Sequence, residues 1–405
     1  MNTSFFIAKR LENQDAHAFS ATVIRIATGS IALGVAVMLV AFGVLEGFRQ
    51  NISQKVFSFA AHLNVTTFNG NNYYEEQPIS TLEKGVAAIK HLPDVAAVQS
   101  YVFKPALLKT KEAVQGIVIK GIDANFYSPA FAPNMTAGRL PNTADTNHVT
   151  EVVISKKLAN MLLLKPSDEV IMYFMQNPTR LRKVQIVGIY DTGMEEFDES
   201  IVLGNARMLR QINAWPDSLS SGVEVFGKNF DQLEQLHNEV ANLLPYYMSA
   251  IKVTDQHIQI FEWLEMIGRN VDILLVLITV VACFSIISSL LIMILERTRM
   301  IGVLKALGAT DAQIRGIFLW SGLKLTARGL LFGNVIGLGV CALQYYFKII
   351  PLDPENYYMY FVPIEWNIWP ILSLNVMTIV IAALVLLLPT RVIASIQPIK
   401  AIKFD

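Results

Sequence analysis

"ILLVLITVVACFSIISSLLIMILERTRMIGVLKALGATDAQIRG", residues 273–316, decides the fold. From Ile273 to Leu295 no residue is charged, and such a run covers the ~20 residues a helix needs to cross a bilayer core. Glu296, Arg297, Arg299, Lys305, Asp311 and Arg315 then crowd into the next turns, yet Ile301, Leu304 and Leu307 keep a helical spacing. Gly308 suits a helix C-terminus, and Thr310 can cap the helix that follows. A membrane span therefore delivers the chain into a short amphipathic helix within 297–316. On pattern alone that helix either enforces topology as a basic interfacial segment or offers a surface to a partner.

Outward from this stretch, three more apolar runs reach spanning length: 24–45, 325–347 and 368–388. The third in chain order contains Arg328, which with Lys324 can snorkel to one interface. Lys9, Arg10, Glu12, Asp15 and Arg25 precede or open the first run, too polar a start for a cleaved signal, so it reads as a retained helix. The chain has 405 residues, 53% hydrophobic and 16% charged, with acidic and basic residues in balance. That balance gives no case for nucleic-acid binding. Cys283 and Cys341 both sit in apolar runs, so no disulfide framework is expected.

Basic residues set the orientation. Lys9 and Arg10 precede the first span, four basic residues occupy the 297–316 link, and Arg391, Lys400 and Lys403 follow the last span. The 348–366 loop has only Lys348 against Asp353, Glu355 and Glu365. Both termini and the 297–316 link are thus expected in the cytoplasm. The expected organisation is an interfacial N-terminal helix (1–23), a first span (24–47), an extracytoplasmic domain (48–254), a stalk continuing into the second span (255–296), the cytoplasmic helix (297–316), a third span (317–347), an external loop (348–366), a fourth span (367–390) and a cytoplasmic tail (391–405). The fold class is an α-helical membrane protein of four transmembrane helices, with a large mixed α+β extracytoplasmic domain inserted between the first and second.

Within that domain, strand-like runs rich in Val, Ile and aromatics occur at 62–68, 95–103, 114–122, 151–155, 169–175, 184–190 and 222–227. Helical patterns intervene at 80–91, 155–164, 205–213 and 230–244. Thr254 can cap a helix that runs unbroken from 255 to 296. At ~1.5 Å per residue it would be about 60 Å long, twice the hydrocarbon thickness. A rod of that kind transmits displacement.

Signatures of catalysis are missing from the sequence. There is no G-x-x-x-x-G-K-[ST] phosphate loop, no H-E-x-x-H and no C-x-x-C, and no G-x-S-x-G. His17, His62, His91, His148, His237 and His257 are scattered, whereas a metal site needs clustered ligands. The acidic pairs Glu75–Glu76 and Glu195–Glu196 sit in polar loops. Asp272, Arg269 and Glu296 lie at the ends of spans rather than inside them, which argues against an ion-coupled carrier. The chain is read as a non-enzyme, binding no cofactor of its own.

"ERTRMIGVLKALGATDAQIRGIFLWSGL" closely resembles the signature of the FtsX-type permease domain, the membrane component of MacB-like (type VII) ABC transporters. The resemblance implies that the segment is a coupling helix docking into a separate ATPase subunit, which would bind the ATP and Mg. Arg297, Arg299, Met300, Ile301, Lys305, Leu307 and Gly308 are then the ATPase-coupling residues. Met300 stands where the family usually has an acid. The ending "LPTRVIASIQPIKAIKFD", with Pro389, Pro398, Ala401 and Lys403, is similar to the family's cytoplasmic tail.

"FFIAKRL", "VLEGF", "KGIDANF", "GIYDTGMEEFDES" and "YYMYFVPIEW" further resemble, in order, segments of the lipoprotein-releasing (LolC/LolE-type) permeases. That likeness implies a permease acting with an ABC ATPase and a second permease copy, either identical or related. Together they would draw triacylated lipoproteins from the outer leaflet and pass them to a periplasmic carrier. It also implies lipid or lipoprotein contact between the first span of one subunit and the second of its partner, at Leu45 and Phe48, then at Met38 and Phe42 on the first span and Val276 and Ile287 on the second. The segment "QNPTRLRK" stands where one family permease has a protruding carrier-binding hairpin, and here it is short and basic. Arg180, Arg182 and Lys183 either attract an acidic carrier or belong to a tight turn. A MacB-like efflux or mechanotransmission permease and an FtsX-like regulator of cell-wall hydrolases are the alternatives. A plain receptor would leave the 296–316 signature without a role.

Overall fold

The computed structural model describes residues 19–67, 77–110, 113–144 and 149–390. The interfacial helix expected before residue 19, the Glu75–Glu76 pair, His17, His148 and the tail residues Pro398, Ala401 and Lys403 lie outside them. The chain divides into two compact units, one of residues 1–50, 264–351 and 361–405, the other of residues 51–263 and 352–360.

Four helices are long and apolar enough to cross a membrane: Phe19–Phe59, Ile258–Glu296, Asp311–Phe347 and Ile368–Thr390. Two differ from expectation at their outer ends. The first does not stop near residue 47. Past that point Phe48, Ile52, Val56 and Phe59 recur at helical spacing and are buried, so the helix continues on an amphipathic stripe after its membrane hydropathy has ended. The second does not begin at Thr254. Thr254 sits inside a single turn, Val253–Gln256, and His257 at φ −114°, ψ 49° breaks the helix before Ile258. The remaining 39 residues still span about 58 Å at ~1.5 Å each.

In the first unit the spans pack through one cluster that includes Ile31, Val35, Met38, Ile286, Leu290, Phe318 and Leu386. Close approach of the first and third spans rests on Gly329, Gly333 and Gly337. A Cβ on Gly329 would meet Ile31 at 2.6 Å, and one on Gly333 would meet Val35 at 2.7 Å and the Ala32 carbonyl oxygen at 2.8 Å. Small residues at every fourth position let membrane helices bring their backbones together. The third and fourth spans are tied by paired amides: Asn334 Nδ2 donates to Asn375 Oδ1 at 2.6 Å, and Asn375 Nδ2 returns a bond at 3.0 Å. Gly333→Leu is expected to cost about 1–3 kcal/mol through overpacking, read as a lower unfolding temperature of the detergent-solubilised chain. An unchanged temperature would show that the helices are not held this close.

The second unit is built on mixed β-sheet. Its strands are β1 (Leu63–Thr67), β2 (Ile79–Ser80), β3 (Val95–Lys109), β4 (Val114–Ile122), β5 (Met135–Gly138), β6 (Glu151–Ser155), β7 (Glu169–Phe174), β8 (Arg180–Tyr190), β9 (Ile201–Asn205), β10 (Leu219–Ser220), β11 (Gly222–Gly227) and β12 (Met248–Lys252). Ten of them form one sheet in the order β12-β1-β11-β3-β4-β9-β6-β8-β5, with β7 pairing to both β3 and β8. β4–β9 and β6–β8 are parallel pairs. The helix Ala206–Asn213 packs over β3 and β4, capped by the Asn205 side chain and burying Met208, Leu209 and Ile212. The core there includes Val102, Ile119, Val152, Met172, Phe174 and Ile186. Strands β2, β5, β9, β10 and β12 lie outside the seven runs read from sequence. β2 and β10 have two residues each, and β5, whose exposed residues include Gly138, carries no apolar alternation.

Candidate functional site

The 297–316 segment folds as a nine-residue helix, Thr298–Ala306, a tight turn, and the start of the third long helix. Its end is a Schellman motif. Gly308 N–H donates to Lys305 C=O and Ala309 N–H to Leu304 C=O, both at 3.0 Å, with Gly308 at φ +88°. Thr310 and Gln313 then form a reciprocal capping box. The two caps fix the turn from both sides, so the short helix presents one defined face.

Which face is settled by burial. Ile301 and Gly302 are buried, and Met300, Leu304 and Ala309 pack against the membrane-unit cluster. Arg299, Val303, Ala306 and Leu307 are exposed, Leu307 by 78%. Their spacing places them on one side of the helix. Three of the expected contact residues, Met300, Ile301 and Lys305, are therefore engaged within the chain. Ile301, at 0% exposure, is the packing anchor of the helix and not a docking residue. Lys305 is mostly covered and ion-paired to Asp311 at 3.0 Å. Arg297, half-buried, occupies the N-cap position, its C=O accepting from Ile301 N–H at 3.0 Å. The outward face is apolar at its centre, with Arg299 near one end.

The expected lipid contacts also separate by burial. Val276 is exposed alongside Ile273, Leu277, Val280 and Phe284, and Leu45 and Ile287 are half-buried. Phe42 lines a small crevice with Leu338, Cys341, Ile364, Trp366 and Ile371. Met38 and Phe48 are buried within the chain itself. Met38 lies in the helix cluster, near the Thr279 hydroxyl, so packing, not lipid contact, is its role here, and Phe48 is likewise shielded.

Residues 176–183 close the β7–β8 hairpin. Arg180 donates to the Gln211 carbonyl at 3.1 Å, Lys183 pairs with Glu169 at 2.5 Å, and Arg182 donates to the neighbouring Leu181 carbonyl at 2.9 Å. Burial and then the Arg180 charge hold the Lys104 ammonium below its usual pKa. The hairpin is short, and its cations are partly engaged within the domain.

Sequence reading did not find the arrangement around "DTGMEEFDES". The Asp198 carboxylate accepts from Thr192 Oγ1 at 2.8 Å, from Thr192 N–H at 3.2 Å and from Gly193 N–H at 3.0 Å, closing residues 191–199 into a tight loop. Burial pushes the Asp198 carboxyl above its ordinary pKa, opposed by the hydrogen bonds from Thr192. Lys157 holds both Glu195 and Glu199. Phe197 stacks on Phe59 at the end of the first long helix, with ring centroids 5.2 Å apart. Lys120 donates to the Phe59 carbonyl oxygen and pairs with Glu224 at 2.6 Å, while Lys55 donates to the Tyr358 carbonyl at 2.5 Å. No spacing along the chain signals the surroundings of this loop, because Lys157, Phe59 and His257 reach it from three other elements.

Comparison with known families matches residues 26–243 to the MacB-like periplasmic core domain and residues 273–398 to the FtsX-like permease C-terminal domain. Among curated relatives, the lipoprotein-releasing system transmembrane protein LolC of Xylella fastidiosa is 23% identical over 93% of this chain and 92% of its own length. The protein LolE of Haemophilus influenzae, of the same description, is 22% identical over 98% of both chains. The extracellular domain of the ABC-type transporter YknZ from Gram-positive bacteria aligns with 47% of this chain and 99% of its own, at 18% identity and a TM-score of 0.35.

Proposed function

The chain belongs to the family of the MacB-like periplasmic core domain, which matches more than half of it, and from that premise we propose that it is the permease subunit of a lipoprotein-releasing ABC transporter. A separate ATPase would supply the energy and this chain would convey it. Triacylated lipoproteins would be drawn from the outer leaflet of the inner membrane and passed toward a periplasmic carrier. A second permease copy, identical or related, completes the assembly. Both termini and the Thr298–Ala306 helix face the cytoplasm in this reading, and the β-sheet unit faces the periplasm.

The observation that carries it is the exposed face of Arg299, Val303, Ala306 and Leu307, held outward by buried Ile301. An apolar face on a rigidly capped helix suits docking into a groove. Full-length similarity to lipoprotein-releasing proteins supports the choice of cargo. The energetics fit as well. At ~0.8 kcal/mol per buried methylene, extracting three acyl chains costs on the order of tens of kcal/mol, which calls for a nucleotide cycle.

The test is purification of the tagged chain in mild detergent, with mass spectrometry of bound proteins and lipids. Co-recovery of a small ABC ATPase with triacylated lipoproteins is the expected result. An ATPase recovered with a periplasmic adaptor or a cell-wall hydrolase, and without lipoprotein, would move the function to efflux or hydrolase control.

A further inference from the structure

The 191–199 loop is where the ends of the two longest helices meet. Phe197 stacks nearly parallel on Phe59, with an interplanar angle of 7°. A second ring contact is edge-to-face with His257, at 5.4 Å between centroids. Phe59 is the last residue of the Phe19–Phe59 helix, and His257 is the break before the Ile258–Glu296 helix. One phenyl ring thus touches the root of each.

The His257 side chain is 8% exposed. Its Nε2 is buried with no hydrogen-bond partner among the described residues. Its Nδ1 lies 3.8 Å from Glu196 Oε1, on the same loop as Phe197. Lys120 of β4 also faces it electrostatically, and is itself paired with Glu224 of β11. On its own turn Asp255 is drawn to Lys252, at 3.7 Å. Such a site accepts a neutral imidazole and resists a charged one, because the imidazolium would bury an N–H⁺ with nothing to receive it.

We propose that the 191–199 loop is a latch between the roots of the two long helices, and that a proton on His257 opens it. With the ring neutral, Phe197 lies between Phe59 and His257 and the break at residue 257 is held shut. A proton taken from solvent makes the ring seek water, and this draws His257 off Phe197, against the hold of the nearby Glu196 carboxylate, and frees the root of the second helix. The inference does not depend on the cargo.

The direction with pH follows from burial. Burial holds the latched imidazole below its ordinary value, against the Glu196 carboxylate, which raises it, with Lys120 lowering it further. A released, solvated ring would titrate near ~6.5. The latch is therefore fully favoured above that pH and weakens as pH falls from there toward the latched value, tenfold for each unit between the two. His62, which follows the first helix and stacks on Phe57, is held at about 4 by burial and is penalised over the same fall in pH, so it is the residue to control for.

Hydrogen–deuterium exchange on the full chain in detergent, at pH 7.5 and pH 5.0 and normalised to the unstructured rate at each, reads the latch directly. Protection of residues 191–199 and 253–262 is expected to be lost progressively toward the lower pH. His257→Phe keeps the ring contact and removes the titration, so both segments should stay protected at both values. Glu196→Gln removes the carboxylate that favours the charged ring and should move the midpoint to lower pH. His62→Phe should leave the step in place. Equal protection of the natural chain at both pH values would overturn the proposal, as would an undiminished step in His257→Phe. Should His257→Phe fail to fold, an unmoved midpoint in Glu196→Gln overturns it instead, and loss of the step in His62→Phe would transfer the sensor to that residue.

Discussion

Leu307→Asp is expected to uncouple transport at least tenfold while leaving the chain folded and inserted. Leu307 is 78% exposed, sits at the C-cap of the Thr298–Ala306 helix and supports no core contact that a carboxylate would break. Its backbone N–H donates to Val303 C=O at 3.0 Å, a bond that does not depend on the side chain. At a docked interface the same carboxylate would be desolvated without a partner, a change that typically costs 2–5 kcal/mol, or about 30- to 5,000-fold in affinity. The measurement is co-purification of the ATPase together with lipoprotein release from proteoliposomes. Size-exclusion behaviour and unfolding temperature should match the unsubstituted protein. Normal release by Leu307→Asp would remove this face from the interface. Ile301→Asp is the contrasting control: it buries a charge in the helix cluster, so it should fail at folding, before any question of docking arises.

The four spans were legible because hydrocarbon thickness imposes a length and a hydropathy that one sequence reveals. The cap sequence from Gly308 to Gln313 was legible too, since Schellman and capping-box geometries depend on residues close in the chain. The outer ends of the two longest helices were not. Hydropathy falls after residue 47, but helix continuation to Phe59 depends on burying Ile52, Val56 and Phe59 among residues distant in sequence. Likewise Thr254 is a sound cap by composition, yet β12 runs to Lys252 and the chain needs a turn at Val253–Gln256 before the rod can begin. In the cytoplasmic helix, the sequence identifies the segment but not its orientation. Ile301 and Leu307 look equivalent in an apolar stripe, and only packing shows that the first turns inward and the second outward. The 191–199 loop was visible as a motif and opaque as an object, because Asp198 closes it locally while Phe197 reaches to residues 59 and 257.

Lys120→Met is expected to destabilise the β-sheet unit by about 3–5 kcal/mol, the usual cost of leaving one member of a buried ion pair behind. Lys120 and Glu224 are 3% and 4% exposed and 2.6 Å apart. The ammonium also donates to the Phe59 carbonyl oxygen, at the terminus of the first long helix. The last carbonyls of a helix lack intrahelical donors and carry the negative end of its dipole, so a cation placed there is doubly favourable. In Lys120→Met, Glu224 would retain only the Gln99 amide, at 2.6 Å, and the helix end would lose its buried donor. Lys120→Met with Glu224→Gln should recover much of the loss, since no unpaired charge then stays buried. The two effects separate by measurement. Unfolding temperature reports the ion pair and should rise again in the double variant. Hydrogen exchange over residues 55–62 reports the helix end and should stay fast in both, because neither variant restores the bond to Phe59. Exchange in that segment as slow as in the unsubstituted chain would show that Lys120 does not anchor the helix. The end of the first long helix would then be held by its ring contacts with Tyr190, Phe131 and Phe197 and by the Asn134–Ser58 bond.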